Sequence, residues 1–292
     1  MKIFSRENQG VFYALASGLL YGLIGYFGVS IIQANHSVFN MLFWRFLVSA
    51  LLMVVPLIFL YKKNGESYRG SLKMFMAGGA FYATSTILYF FASQYIGTGL
   101  AIVLFFTYPA IVMLLDWYFK GIKPATLYYF AIVMIVAGLM LLTDLSSVSF
   151  SLIGIGLTML SAAAYASYVV VSNNVSSTPL MTTVVVSLGC AATCFAGALI
   201  DSSFCIPTTL GVWWNVFGFA VIGTAIPILL MLEALKIIGS AKAAILSVLE
   251  PIVVVIVGVV LLHELINVRQ VMGIIVVLSG ALITLKTKSK KS

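Results

Sequence analysis

Residues 51–60 read LLMVVPLIFL and residues 252–262 read IVVVIVGVVLL, two apolar runs without a charge. Similar runs recur along the whole chain within apolar stretches of about 20 residues, long enough for an α-helix to cross a hydrocarbon core of ~30 Å. A transmembrane barrel needs polar and apolar residues in alternation. Because these runs are continuously apolar, they predict an all-α membrane protein.

The composition agrees with a chain that lies in lipid. Of 292 residues, 62% are hydrophobic and 8% are charged, whereas a soluble domain carries about 25% charged residues. The net charge of +8 is spread between the apolar runs, so it does not indicate nucleic acid. Cys190, Cys194 and Cys205 have no metal-ligand spacing. We expect neither a metal nor a cofactor.

The apolar runs divide the chain into ten predicted spans. If the N-terminus is cytoplasmic, all but two of the 16 cations fall in cytoplasmic segments, the exceptions being Arg45 and Arg269. The positive-inside rule therefore predicts that both termini are cytoplasmic, and we expect a multi-pass protein of a bacterial plasma (inner) membrane. The spans lie near residues 11–31, 39–60, 72–91, 98–119, 125–142, 151–171, 180–200, 214–232, 241–262 and 268–285.

An internal repeat relates the two parts of the chain. One constant shift, here called the repeat shift, aligns residues 83–138 with residues 225–280 without a gap, and upstream a slightly larger shift pairs Tyr21 with Tyr165. Identical residues in the aligned segments include Gly97 with Gly239, Pro109 with Pro251, and Gly138 with Gly280. Chance similarity between apolar helices is the alternative explanation of this alignment.

Each repeat holds five predicted spans. Because five is odd, the second copy enters the membrane in the opposite sense to the first. The sequence therefore predicts ten transmembrane helices as two inverted five-helix repeats (5+5), in residues 1–145 and 146–292. Repeats of this kind surround a central site and open it alternately to the two sides.

Residues 249–264 read LEPIVVVIVGVVLLHE, a proline early in span nine followed by an apolar run that ends in Glu264, and the segment from Gly273 to Gly280 follows. With these residues the chain resembles the drug/metabolite transporter superfamily, specifically the EamA-like permeases with ten spans. The resemblance covers nearly the full chain, although His263 stands where that family commonly has Gly. It implies a 5+5 transporter with a cavity between its halves, and it leaves the substrate open.

Two charged residues inside predicted spans are the first candidates for substrate binding, because a charge in a membrane is costly and usually faces a cavity or a partner. Glu250 is about 15 Å into span nine, has no cation within helical reach, and precedes Pro251, which can kink the helix. A protonated carboxyl in apolar packing is the alternative. Arg45 lies early in span two and either binds a substrate carboxylate, gates the path, or extends to the outer interface.

Tyrosines complete the predicted substrate site. Tyr108 is the repeat's counterpart of Glu250, and Tyr82 and Tyr89 share one face of span three with Thr86. Their hydroxyls and ring faces can hold a polar or cationic group. Aromatic packing and hydrogen bonds between helices are the alternatives. The predicted positions are Tyr21, Tyr82, Tyr89, Tyr108 and Tyr165.

These features predict a secondary transporter that moves a small polar or zwitterionic metabolite, such as an amino acid, by alternating access. The resemblance alone favours export, and import of a cationic amine or a nucleotide-type metabolite is the alternative. An enzyme is not expected, because the chain has no HExxH or GxSxG motif. A channel is disfavoured because no filter-like loop interrupts the spans. The expected partners are the small-molecule substrate and the lipid bilayer; the coupling ion and the oligomeric state stay open.

Overall fold

The computed structural model describes residues 5–33, 36–64, 70–142, 151–253, 256 and 267–286. The described residues form helices and the connections between them, with no strand. The second part of predicted span nine lies outside the described residues, and so do His263 and Glu264.

Helices follow one another along the first part of the chain. They are α1 Arg6–Tyr21, α2 Ile24–Gln33, α3 Val38–Asn64, α4 Ser71–Ala77, the π-helical turn π1 Gly78–Ala83, α5 Thr84–Phe105, α6 Tyr108–Lys120 and α7 Thr126–Leu142. The second part contains α8 Leu152–Ser172, α9 Pro179–Ile200, α10 Leu210–Ala220, the π-helical turn π2 Val221–Ala225, α11 Ile226–Ile238, α12 Ser240–Leu246 and α13 Val268–Lys286.

Many of these helices are long and apolar enough to cross a membrane. Among the described residues there are six such stretches, and the two shorter apolar helices Thr126–Leu142 and Val268–Thr284 add to them. The chain is therefore an all-α, multi-pass membrane protein. The six stretches are Arg6–Ile32, Val38–Phe59, Ser71–Phe105, Leu152–Ser172, Pro179–Ile200 and Leu210–Ile238.

The chain reverses at Gly97, inside α5. The backbone there has φ 75° and ψ 155°, a conformation that glycine adopts because it lacks a Cβ. The rings of Tyr89 and Phe105 are 5.5 Å apart between centroids, whereas a straight helix would separate residues at this spacing by ~24 Å. Span three thus continues to Ile96, so its predicted end at residue 91 is too early. No charge marks this boundary in the sequence.

Predicted span four is not one continuous helix. A turn at Phe106 and Thr107 separates α5 from α6, and Pro109 lies in the first turn of α6. Proline has no backbone N–H, so a helix cannot continue its hydrogen bonds through that position. In the second half, α12 ends at Leu246 and the helix resumes at residue 249. This second turn lies just before Pro251, where the sequence predicts a kink.

Local backbone features recur in the two halves. Gly239 has φ 79° and ψ 167°, close to the conformation of Gly97, its counterpart at the repeat shift. The two π-helical turns end at Ala83 and Ala225, which are counterparts at the same shift. The repeat in the sequence is therefore a repeat in the backbone.

Helices of the first half pack on helices of the second half, and the repeat relates these contacts to one another. Helix α3 packs on α9, α7 on α13 and α6 on α12, while α1 packs on α11 and α5 on α8. A Cβ on Gly138 would lie 2.9 Å from the carbonyl oxygen of Gly273, and a Cβ on Gly280 would lie 2.9 Å from that of Ala131. These four residues form two counterpart pairs, so the α7–α13 contact is reciprocal and the two helices are antiparallel.

The bundle has two distinguishable ends. At one end, called the Gly97 end, the missing side chain of Gly154 leaves room for Ile96, since a Cβ there would lie 2.6 Å from it. At the opposite end, called the Gly239 end, the start of α1 meets the end of α11, where a Cβ on Gly10 would lie 2.7 Å from Ile237. Glycines thus allow close helix contacts at both ends.

Candidate functional site

A cavity lies between the two halves. Its water-accessible volume is about 60 Å³, enough for a few ordered waters. Its wall contains charged, aromatic and hydroxyl side chains from both halves, including six of the seven predicted site residues. The lining residues are Tyr21, Ile24, Arg45, Tyr82, Ser85, Thr86, Tyr89, Phe90, Phe105, Tyr165 and Glu250.

Glu250 reaches the cavity from the short helical segment that follows the turn after α12. Its backbone N–H donates to the carbonyl of Ser247, 3.1 Å away. Helix α1 approaches this segment closely because Gly22 has no side chain; a Cβ there would lie 2.7 Å from the Glu250 carbonyl oxygen. Within the described part of the chain, the Glu250 carboxylate accepts no hydrogen bond and forms no ion pair. This carboxyl group is therefore available to a ligand.

Arg45 is buried, with 1% of its surface exposed. Its Nε donates to Thr224 Oγ1 at 2.6 Å and its Nη2 donates to the Gly223 carbonyl at 3.1 Å. The guanidinium also lies 4.3 Å from the ring centroid of Phe219 and 4.9 Å from that of Phe46. The alternative in which Arg45 extends to the outer interface is wrong, because these bonds and ring faces hold its head inside the bundle.

The Gly223 carbonyl is free to accept from Arg45 for a local reason. In a regular helix it would accept from the residue four positions on, which is Pro227 and has no N–H. The neighbouring Thr224 hydroxyl donates to the Phe219 carbonyl at 2.9 Å, so it presents its lone pairs to Nε. Turn π2 therefore offers two acceptors to Arg45, and three of the five guanidinium N–H groups remain for the cavity.

The cavity wall thus contains one basic and one acidic side chain. Arg45 comes from the first half and Glu250 from the second, and no ion pair within 4.0 Å joins them. The anchoring of Arg45 on π2 accounts for this separation. A ligand with both a cationic and an anionic group has a partner for each.

Tyrosines from three helices form one wall. The hydroxyls of Tyr21 and Tyr82 are 3.3 Å apart, and the Tyr82 ring stacks on Tyr168 with centroids 4.9 Å apart. Tyr82 also contacts Tyr165, at 5.7 Å between centroids. Tyr89 also lines the cavity, and its ring contacts that of Phe105. The sequence groups Tyr82 with Tyr89 and Tyr21 with Tyr165, and the structure brings all four to the same cavity.

Tyr108 is the predicted site residue that does not line the cavity. It is 1% exposed, and its ring contacts Tyr165 edge-on at 4.8 Å between centroids. Its hydroxyl donates to the Ala244 carbonyl at 3.0 Å and also hydrogen bonds with the Ser247 hydroxyl. Tyr108 therefore lies behind Tyr165 and links α6 to the second half on the side of the Gly239 end.

Several residues that line the cavity or hold its side chains in place were not predicted as site residues. Thr86 shares the predicted face of Tyr82 and Tyr89, so the sequence does carry a signal for it. Thr224, which anchors Arg45, is the counterpart of Tyr82 at the repeat shift, and this relation also marks it. Phe105 and Ser85 carry no comparable signal, since their positions depend on the reversal at Gly97 and on the contact between α5 and α8.

Comparison with known protein families gives a separate match for each half of the chain. The model of a family described as the EamA-like transporter family matches residues 8–144 and again residues 152–286. The chain belongs to the EamA-like transporter family. This membership confirms the resemblance noted from residues 249–264, and it gives the chain the two-repeat architecture of EamA-like transporters, within the drug/metabolite transporter superfamily.

Structural comparison agrees with this membership. The EamA-like chain is similar to the crystal structure of a protein with which it shares 15% sequence identity, at a TM-score of 0.77; the match covers 94% of this chain and 96% of the other. At this identity the likeness shows the fold alone. No curated protein matches the EamA-like chain in sequence.

Proposed function

We propose that this EamA-like transporter is a secondary transporter for a small zwitterionic metabolite, with an amino acid as the leading candidate. The observation that carries the proposal is that Arg45 and Glu250 line one cavity without forming an ion pair. An ammonium group can bind to the Glu250 carboxylate while a carboxylate binds to the remaining guanidinium N–H groups. The tyrosine hydroxyls supply further polar contacts.

The packing of the helices supports alternating access. A two-fold rotation reverses the direction of a helix only when the rotation axis is perpendicular to that helix. An axis that superposes α7 on the antiparallel α13 is therefore perpendicular to both. For helices that cross a membrane, such an axis lies in the membrane plane. We therefore propose ten spans in two inverted repeats, residues 1–145 and 146–292, whose exchange of conformations opens the cavity to each side in turn. On this proposal the Gly239 end faces the cytoplasm of a bacterial cell, and transport is export.

A cationic amine is the second candidate. Glu250 is the charged group in the cavity without a protein partner among the described residues, whereas Arg45 already donates two hydrogen bonds to Thr224 and Gly223. The faces of Tyr82, Tyr165 and other rings can attract a cation in addition to the carboxylate. For such a substrate Arg45 would serve to hold the helices rather than to bind the ligand.

Matched substrate pairs separate the two candidates. An amino acid and the amine formed by its decarboxylation share the side chain and the amino group but differ in the carboxylate. Purified protein in proteoliposomes, preloaded with one compound, is assayed for counterflow of the labelled compound, with protein-free liposomes as the control. Counterflow of amino acids but not of the matched amines supports the zwitterion. The opposite result supports the amine, and absence of counterflow with every pair contradicts both.

A further inference from the structure

Polar contacts close the bundle at the Gly239 end. Lys242, near the start of α12, is 2% exposed, and its Nζ lies 2.8 Å from Oε1 of Glu7, which is in the first turn of α1 and has 56% of its side chain exposed. Burying an ammonium group costs a large free energy unless an opposite charge is bound to it. This pair therefore holds the start of α1, in the first half, against α12 in the second.

A second contact lies beside the first. The Ser240 hydroxyl donates a hydrogen bond to Oδ2 of Asp116, near the end of α6. Asp116 is 4% exposed, and its other oxygen pairs with Lys120 at 2.6 Å. The buried carboxylate of the first half is thus bound to the start of α12 as well. Two neighbouring residues of one short helix, Ser240 and Lys242, receive polar contacts from two different helices of the other half.

The opposite end lacks these groups at the repeat's counterpart positions. The counterparts of Ser240 and Lys242 are Thr98 and Leu100, and the counterpart of Glu7 is Ser151. Both ion pairs found in the described part of the chain lie at the Gly239 end. Because the two halves otherwise repeat the same backbone turns, this difference in polar contacts distinguishes the two ends of the path.

These contacts lie on the way from the cavity to the Gly239 end. Glu250 is eleven residues beyond Gly239; the seven residues of α12 correspond to ~10 Å of helix rise, and a turn separates this helix from Glu250. Between them, Tyr108 lies behind Tyr165 and donates to the Ala244 carbonyl. Residues Tyr108, Val112 and Asp116 follow at intervals of four on α6 and so share one face. Val112 is fully buried between the tyrosine and the carboxylate.

We propose that Glu7, Lys242, Asp116 and Ser240 form a gate that keeps the cavity closed at the Gly239 end, and that separation of these contacts opens the cavity to that side. The proposal rests on the transport function, since a gate requires two alternating states. The role of the four residues is to set the population of the closed state, and none of them contacts the substrate in the cavity.

A labelling experiment tests the gate without any substrate. The Val112→Cys substitution is introduced into a chain in which Cys190, Cys194 and Cys205 are replaced by alanine or serine. In purified protein, the thiol reacts with a membrane-impermeant maleimide only when the Gly239 end opens. We expect Glu7→Gln and Ser240→Ala each to raise the labelling rate, Glu7→Gln by about tenfold. Arg6→Gln, next to Glu7 and exposed, is the matched control and should leave the rate unchanged.

Charge exchange completes the test. Combining Glu7→Lys with Lys242→Glu restores an ion pair and should return the labelling rate toward that of the parent. Ser240→Ala removes one buried hydroxyl and no charge, so it keeps the test decisive if a charge variant fails to fold. Unchanged labelling in both Glu7→Gln and Ser240→Ala overturns the gate. Faster labelling of these variants, in a protein that shows no counterflow, supports the gate and contradicts the proposed substrates.

Discussion

Arg45 and Glu250 face the same cavity from different halves of the chain, and no ion pair joins them. The reason lies in π2, where Pro227 leaves the Gly223 carbonyl without a helical partner and Arg45 takes that place. A direct ion pair would neutralise both groups before a substrate arrives. The turn therefore keeps the two side chains apart and fixes the position of one of them.

Replacing Glu250 by glutamine keeps the shape of the side chain and removes its charge. If the carboxylate binds an ammonium group, the lost interaction is worth about 1.5–3 kcal/mol, and the initial rate of counterflow should fall by at least about tenfold. Thermal stability should change little. Glu233→Gln, on α11 and outside the cavity wall, is the control. Wild-type rates with unchanged pH dependence in Glu250→Gln would show that the carboxyl serves packing alone.

Replacing Arg45 by lysine keeps the charge and removes the planar fork. A lysine cannot reach Thr224 and Gly223 together while lying between two phenyl rings. We expect a loss of about 1.5–3 kcal/mol in stability, the usual range for hydrogen bonds to a charged group, seen as a lower midpoint of thermal unfolding in detergent. Arg269→Lys, at an exposed residue with a 3.1 Å bond to the Met140 carbonyl, should shift the midpoint much less. Equal shifts in both variants would contradict the anchoring role.

Adding a methyl group at Gly97 or Gly239 should strain the backbone. Both glycines have a positive φ, and such strain costs on the order of 1–3 kcal/mol. Neither position is crowded, because no atom of a non-adjacent residue lies within 4 Å of a Cβ built there. A loss of stability would therefore come from the backbone conformation alone. Gly156→Ala, inside α8 and equally uncrowded, is the control and should be neutral or slightly stabilising. A loss of stability in the control as large as in Gly97→Ala would refute this explanation.

The orientation in the membrane has a direct test on two exposed positions at opposite ends. Cys205 is exposed in the connection after α9, and Lys123 is exposed between α6 and α7. We expect an impermeant thiol reagent added to intact cells to label Cys205, after Cys190 and Cys194 are replaced. A chain with Cys205→Ser and Lys123→Cys should react only after the cells are permeabilised. The reverse pattern would place both termini outside.

The sequence predicts those parts of the fold that recur at a fixed spacing. The repeat shift relates Gly97 to Gly239 and Pro109 to Pro251, and the structure has matching reversals and turns at these places. The apolar runs likewise predict helices that cross a membrane. Helix ends without a charge are less predictable. The end of span three at Ile96 is an example, because the hydropathy of the sequence does not separate the two spans that meet at Gly97.

Part of the candidate site could also be predicted from residues that recur at a regular spacing. Spacing along one helix groups Tyr82 with Tyr89, but it does not show how far a turn rotates the helix that follows. The turn at Phe106 and Thr107 directs Tyr108 away from the cavity wall, although its counterpart Glu250 faces the cavity. The partners of Arg45 are 178 and 179 residues away in sequence, so no local pattern can reveal them.

The hairpin at Gly97 also bears on how the protein enters the membrane. Residues 91–103 contain no charged side chain, so moving this segment through the hydrocarbon dehydrates no ion, and the two adjoining helices can insert together as one unit. The matching hairpin at Gly239 is flanked by Lys236 and Lys242. In the proposed orientation it stays on the side of synthesis, because each lysine would cost about 2.5–3.5 kcal/mol at the bilayer centre. In that orientation, insertion moves the uncharged hairpin across the bilayer and leaves the charged one behind.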